Sequence, residues 1–253
     1  MTERTFALTS TGPAMLDLEL PIGAIEVQVL DSVTTASVVL RTEDESGPTA
    51  DAVRDARSSE DGRTLRVTVP EIHGSVITQN AAGGVIHAGS GNVTSMVVVN
   101  GRVISGNVTT IPTVSGITAR IVLPLGSSLS VFSKSADLHA VGYLNSLAFT
   151  SISGDARLDA VRDLYTSTTS GDVNVGSITT SAIVRSVSGD IDVLSYSGES
   201  ADLTTTSGDV TVAATSTASG ALRANTVSGD VNVRGGRHLD LHTRSVSGAV
   251  RTR

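Results

Sequence analysis

The chain has 253 residues, a formal net charge of −7, no cysteine and no tryptophan. Without cysteine there are no disulfides, thiolate metal sites or cysteine nucleophiles, and the acidic balance argues against a role in nucleic-acid binding. Because the chain has only three Tyr and three Phe, its core must come from Val, Leu, Ile and Ala, a supply that suits thin stacked layers.

Residues 1–72 alternate apolar and polar side chains, which predicts strands with one face in a core and one in water. The clearest alternation covers residues 16–21 and 25–29, and further strands are predicted at 37–40 and 65–69. Between them, residues 49–60 are charged and rich in Ala, Asp and Arg. We predict one short helix there, closed by a turn at Asp61-Gly62.

Residues 73–114 differ in character, because Gly and Asn separate short runs of Val and Ile. One interpretation is a mobile glycine-rich loop. The recurrence of Val and Ile between the glycines favours irregular solenoid coils or a projecting hairpin instead. The predicted division of the chain is therefore 1–72, 73–114 and 115–253.

The third region carries a regular repeat. Ser-Gly-Asp occurs five times, and with the degenerate copies the corner positions lie 17 to 21 residues apart. Glycine punctuation at such a period indicates stacked coils, each too small to hold a core alone. We predict an all-β fold, a single-stranded β-solenoid. Its predicted structural corners are Gly154, Asp155, Gly171, Asp172, Gly189, Asp190, Gly208, Asp209, Gly229 and Asp230.

Residues at equal distances from these glycines form columns of like character. The position two after each glycine is aliphatic, and the position three before it is always Ser or Thr. Residues about nineteen apart should therefore lie above one another around a narrow core. The aliphatic column is Ala156, Val173, Ile191, Val210, Val231 and Val250, and the hydroxyl column is Ser151, Thr168, Ser186, Thr205, Thr226 and Ser245.

The Ser-Gly-Asp-Val-x-Val repeat, preceded by Thr/Ser-x-Ser, resembles the bacterial putative-adhesin family of β-strand-repeat proteins, which carry a domain of unknown function. The opening Leu-x-Leu-Pro-x-Gly-x-Ile-x-Val, residues 18–27, is similar to the start of that family. The resemblance covers most of the chain and matches residues 73–114 least. It implies a β-solenoid and offers no catalytic residues.

Two groups of side chains are candidates for metal chemistry. The aspartate column is either a row of cation sites or a set of corner carboxylates that accept backbone N–H bonds, and turn chemistry favours the second. On a strand, His238, Asp240 and His242 share one face and are weak candidates for a metal site. Nothing adjacent supplies a third or fourth ligand, so a solvated strand face is favoured, and we predict no cofactor.

An outward column without charge lies two residues before each glycine, at Ile152, Thr169, Val187, Thr206, Val227 and Val246. β-propensity alone accounts for such residues, but the column also forms a flat surface for pairing. The sequence, moreover, stops inside a predicted strand without a capping helix. We therefore predict a homo-oligomer, with Ile152, Val187, Val227 and Val246 at the interface.

The first hypothesis for function is a non-enzymatic structural or interaction protein, a rigid β-solenoid that self-associates. The alternative is a ligand- or partner-binding module that uses residues 73–114. A carbohydrate-active β-helix enzyme is the third, and the scarcity of aromatic residues argues against it. The first residues contain no apolar run of signal-peptide length, and no stretch approaches the roughly 20 apolar residues of a membrane span. We expect a cytoplasmic protein without membrane or nucleic-acid partners.

Overall fold

The computed structural model describes residues 1–72, 79–81, 84–86, 98–99, 102–103 and 116–253. This part of the chain consists mainly of strands, with a helix α1 at Pro48–Asp55. The strands are β1 (Thr2–Ala7), β2 (Met15–Leu30), β3 (Ser37–Thr42), β4 (Arg57–Asp61), β5 (Thr64–Thr68), β6 (Gln79–Ala81), β7 (Gly84–Ile86), β8 (Val98–Val99), β9 (Arg102–Val103), β10 (Ile117–Pro124), β11 (Ser128–Ser153), β12 (Ala156–Ser170), β13 (Val173–Ser188), β14 (Ile191–Tyr196), β15 (Ser200–Thr204), β16 (Val210–Ala214), β17 (Ala221–Ser228), β18 (Val231–Arg234), β19 (Asp240–Ser247) and β20 (Val250–Thr252).

The strands stack in parallel, one coil on the next. The main path runs β1-β3-β10-β2-β11-β12-β13-β14-β16-β18-β20. A second row of pairing runs β13-β15-β17-β19, because β13 is long enough to pair with β14 through its first half and β15 through its second. The predicted fold class, an all-β solenoid with an N-terminal β region and one short helix, is confirmed.

The aliphatic column forms the interior of the stack. Val173 pairs with Ile191, Ile191 with Val210, and Val210 with Val231, in a register that places each side chain above the last. All four are buried, whereas Val250, the last residue of the predicted column, pairs with Val231 but is exposed. A second pair of inward positions compensates in volume, since the small Ala182 and Ala201 are each followed two residues later by a larger buried side chain, Val184 or Leu203. Such compensation fills a close-packed interior.

The N-terminal region continues this stack. Strand β2 pairs in parallel with β11 on one side, and with β5 and β10 on the other. Strands β3, β1 and β4 then add antiparallel pairs at this end. Helix α1 packs on β1 and β3 through buried Ala50, Ala52 and Val53. One hydrophobic core spans both regions, and the three-part division of the sequence stays a prediction.

The predicted helix was too long. Helix α1 ends at Asp55, and Arg57–Asp61 is instead strand β4, which pairs antiparallel with β5. The turn at Gly62, with φ of 59°, closes this hairpin. All residues of β4 are exposed, so this segment lacks the alternation of apolar and polar side chains that indicates a strand. Its charged composition is typical of a helix, but pairing with β5 makes it a strand.

Two short antiparallel pairs, β6 with β7 and β8 with β9, are described between the N-terminal region and the regular coils. The rest of the segment predicted as irregular coils or a projecting hairpin lies outside the described residues. His73 and His87, which stand apart from other candidate ligands in the sequence, also lie outside them.

Each repeat glycine occupies a corner where two coils approach closely. The five glycines have φ between 143° and 150°, which side chains resist. A Cβ built on any of them would overlap the carbonyl oxygen of the residue one coil before; for Gly208 that residue is Gly189. Glycine is therefore required both by conformation and by contact.

Replacing Gly208 with alanine should lower the free energy of unfolding by more than about 3 kcal/mol, because strain at positive φ adds to overlap with the neighbouring coil. Gly62→Ala is the matched control: Gly62 also has positive φ, but a Cβ there meets no atom within 4 Å. It should cost about 1 kcal/mol. Equal losses in urea denaturation of the two variants would contradict the importance of the coil-to-coil contact.

Tyr196 is the largest fully buried side chain. Its hydroxyl has no hydrogen-bond partner among the described residues. Burial, followed by the charge of Glu199, raises the pKa of Tyr196 to about 12 from a usual value of 10.0. The fold thus favours the neutral phenol over the phenolate.

Because the pKa of Tyr196 is raised on folding, its stabilising effect is complete below pH 10 and disappears as the pH rises toward 12. We expect the phenolate absorbance of the wild type to show a late step that Tyr196→Phe lacks. The variant should also lose less stability than the wild type between pH 10 and pH 12. Identical titration curves for the two proteins would contradict this assignment.

Candidate functional site: an aspartate ladder beside an exposed apolar stripe

The aspartates of the repeat form a continuous hydrogen-bonded ladder. The backbone N–H of each aspartate donates to Oδ1 of the aspartate one coil before, at 2.7 to 3.0 Å, from Asp155 on Asp137 through to Asp230 on Asp209. The ladder ends where the N–H of Ala249 donates to Asp230 Oδ1 at 2.8 Å. Each carboxylate therefore joins two coils.

These bonds offset the repulsion between carboxylates that are about one strand spacing apart. Arginine side chains add to the effect, since Arg157 Nη2 lies 3.0 Å from Asp155 Oδ2 and Arg251 Nη1 lies 3.1 Å from Asp230 Oδ2. The N–H of Ala249, and secondarily Arg251, lower the pKa of Asp230 below its usual value. These contacts favour the ionised form of Asp230.

The hydroxyl column supports the same corner from inside. Thr205, Thr226 and Ser245 donate to the carbonyl oxygens of Gly189, Gly208 and Gly229, one coil before, at 2.7 to 3.1 Å. Ser151 and Thr168 donate instead to carbonyls two residues ahead in their own coils. Five of the six hydroxyls thus bond to backbone carbonyls at the corners of the stack, whereas the buried hydroxyl of Ser186 has no partner among the described residues.

The predicted metal candidates do not come together. His238 lies in the turn before β19, and only Asp240 and His242 are on the strand. Their contact is a single exposed pair, with His242 Nε2 3.3 Å from Asp240 Oδ1. Within the described ranges, no group of three or more His, Asp or Glu side chains is placed to hold a metal ion.

The predicted interface residues form an exposed stripe beside the ladder. Ile152, Val187, Val227 and Val246 are 48 to 65 % exposed. Thr169 and Thr206 alternate with them and are also exposed, as is the serine that follows each stripe residue. We call the six residues from Ile152 to Val246 the β-branched stripe. It is an apolar surface bordered on the corner side by uncharged hydroxyls.

A small groove of about 210 Å³ lies elsewhere, near His139, Arg157, Asp159 and Asp192. Asp159 Oδ2 accepts a hydrogen bond from the backbone N–H of Gly142 at 3.1 Å, so this carboxylate has a role in joining coils. The third hypothesis, a carbohydrate-active enzyme, requires a substrate cleft with two free carboxyl groups. This groove is small, and one of its two carboxylates is already engaged.

The ladder can be tested at Asp190, which accepts the N–H of Asp209. Asp190→Ala leaves that donor without its partner and should lower the free energy of unfolding by about 1 kcal/mol, whereas Asp190→Asn keeps an acceptor oxygen and should cost less. Denaturation at neutral pH measures both. A loss from Asn as large as that from Ala would mean that charge, not the hydrogen bond, matters.

Comparison with known proteins identifies a family and solved structures that are similar to this chain. The family model Toastrack DUF4097 matches residues 26–253. A solved structure of a putative adhesin from Bacteroides fragilis NCTC 9343 is similar, with a TM-score of 0.54, 14 % identity, and coverage of 100 % of this chain and 97 % of that one. A putative adhesin from Parabacteroides distasonis ATCC 8503 has a TM-score of 0.45 at 14 % identity, covering 100 % and 96 %. No curated protein matches the chain.

The comparison corrects one prediction. The expected cytoplasmic location is contradicted, because the Bacteroides fragilis protein is described as an adhesin, a name that points to the cell surface or the exterior. The prediction rests on the composition of the first residues and on the lack of an apolar stretch long enough to span a membrane. In the described part of the chain, no helix is both long and apolar enough to cross a membrane. The family match covers nearly the whole sequence, and this chain belongs to the Toastrack DUF4097 family.

Proposed function

We propose that this chain is a non-enzymatic interaction protein of the cell surface or exterior, whose copies associate side by side through the β-branched stripe. The observation that carries the proposal is the exposure of four large apolar side chains in one aligned column. Singly exposed apolar residues are common on proteins, but a contiguous apolar surface is typical of an interaction site.

The surroundings of the stripe favour burial. The serine column beside it has no charge, so covering this surface removes no ionised group from water at those positions. Burying apolar surface contributes roughly 25 cal/mol per Å². Because the stripe extends over six coils, that contribution accumulates along the stack.

A second copy of this chain is the partner that the spacing favours. Stripe residues recur once per coil, at the strand spacing of about 4.8 Å. A surface with the same repeat can match every position, whereas a surface with another period loses register after a few coils. Two copies related by a twofold axis would each present the same stripe, as isologous interfaces require.

The proposal predicts a defined response to charge and salt. A net charge of −7 makes two copies repel each other, and salt screens that repulsion while leaving the apolar contact in place. Self-association should therefore strengthen as the salt concentration rises from low to physiological values.

The test compares one double change in the stripe with one single change at an exposed apolar residue elsewhere. Val187→Asp/Val227→Asp places charge in the stripe and should abolish association. In sedimentation velocity at micromolar concentrations, the wild type should sediment as an oligomer and this variant as a monomer. Leu194→Asp is the control, because Leu194 is 67 % exposed and lies on β14, away from the stripe. It should associate as the wild type does.

A wild type that stays monomeric at every concentration and salt level would refute side-by-side association. A monomeric Leu194→Asp variant would show that added charge, not the stripe, decides the result. Residues 73–114 as a partner-binding element stay a prediction, since most of them lie outside the described residues.

A further inference from the structure

A cleft of about 940 Å³ lies at the C-terminal end of the stack, and its lining residue Arg251 contacts the last aspartate of the ladder, Asp230. It is formed by β18, β20 and the turn that follows β18. Its polar lining includes Asn232, Arg234, Arg237, His238, Arg251 and Arg253, together with the hydroxyl residue Ser216. Among the described residues, no Asp or Glu contributes to this lining.

The backbone brings two of these arginines side by side. The N–H of Arg253 donates to the carbonyl of Val233 at 3.0 Å, and the N–H of Gly235 donates to the carbonyl of Arg253 at 2.7 Å. This pattern places Arg253 directly opposite Arg234 on the neighbouring strand. Like charges opposite one another on adjacent strands destabilise a sheet.

Only part of this positive charge is neutralised within the described residues. Arg251 forms an ion pair with Asp230 at 3.1 Å. No ion pair of Arg234, Arg237 or Arg253 with a carboxylate is observed in the described part of the chain. The lining therefore holds guanidinium groups whose hydrogen-bond donors are free to meet an anion.

The sequence concentrates positive charge here. Residues 221–253 contain six arginines against two aspartates, although the chain as a whole has a net charge of −7. Such asymmetry is typical of a segment that meets an anionic partner.

We propose that this cleft binds a phosphate or sulfate ester that carries at least two negative charges. Guanidinium groups bind such oxyanions through paired N–H donors. Asn232 and Ser216 supply neutral donors beside them. The anion offsets the repulsion between Arg234 and Arg253. The same chemistry is offered by a soluble ester and by a phospholipid head group.

Two probes distinguish these sources: inorganic pyrophosphate, measured by calorimetry at low ionic strength, and vesicles of phosphatidylcholine with phosphatidic acid, whose phosphate monoester can carry two negative charges, measured by cosedimentation. Arg234→Gln/Arg253→Gln should weaken binding at least tenfold. Arg185→Gln/Arg223→Gln removes the same charge from residues that do not line the cleft and should keep wild-type affinity. Binding of pyrophosphate but not of vesicles indicates a soluble ligand, and binding of vesicles but not of pyrophosphate indicates a lipid head group.

Folding is checked without ligand. Removing two neighbouring positive charges should leave the thermal midpoint of Arg234→Gln/Arg253→Gln at or above that of the wild type, so lost binding would not reflect unfolding. Absence of saturable binding to both probes overturns the proposal, and so does equal weakening in the two double variants. The stripe variant Val187→Asp/Val227→Asp should bind the probes normally, which separates this inference from self-association.

Discussion

The fold depends on the close approach of successive coils at the glycine corner. There the backbone of one coil lies so near the next that no side chain fits, as the overlap of a built Cβ at Gly208 with the Gly189 carbonyl indicates. That proximity brings backbone groups within reach of the next coil. The N–H of each aspartate bonds to a carboxylate below it, and Thr205 and Thr226 bond to glycine carbonyls. Because these corner groups are paired, the thin coils can stack there without leaving the aspartate N–H groups unsatisfied.

Much of the regular stack was predictable, because each coil repeats the same local requirements. Residues at a fixed distance from Gly171, Gly189 and Gly208 face the same environment, so their character recurs in sequence. The position of β2 was harder to predict. Gly23 occupies an equivalent corner, with φ of 140°, but Pro21-Ile22 precedes it and no aspartate follows. Its partner Ile117 is far away in sequence, and only the three-dimensional pairing joins them.

The candidate surfaces also differ in how far the sequence predicts them. The stripe and the ladder are periodic, and their alignment follows from the period of the repeat. The arginine cleft is not periodic. Arg234 and Arg253 both stand five residues after a repeat glycine, so the period aligns them, but the earlier coils hold Asp159, Gly176, Leu194 and Ala213 at this position. Similarly, His238 falls in a turn because Gly235 and Gly236 interrupt the coil, which separates it from Asp240 and His242.

Equivalent positions of successive coils form columns on the surface of a solenoid. The way in which side-chain charge and polarity vary along a column therefore determines which partners it fits. One outward column reads His139, Arg157, Asn174, Asp192, Thr211, Asn232 and Arg251 in consecutive coils. That column varies in charge from coil to coil and ends in the cationic cleft, which suits a ligand held at one place. The stripe stays uncharged and β-branched throughout, which suits a partner as long as the stack. Oδ1 of each ladder carboxylate beside the stripe already accepts a backbone hydrogen bond. If a second copy covered part of the ladder, these oxygens would therefore keep their hydrogen-bond partners. The same corner that holds the coils together therefore makes the adjoining surface suitable for assembly.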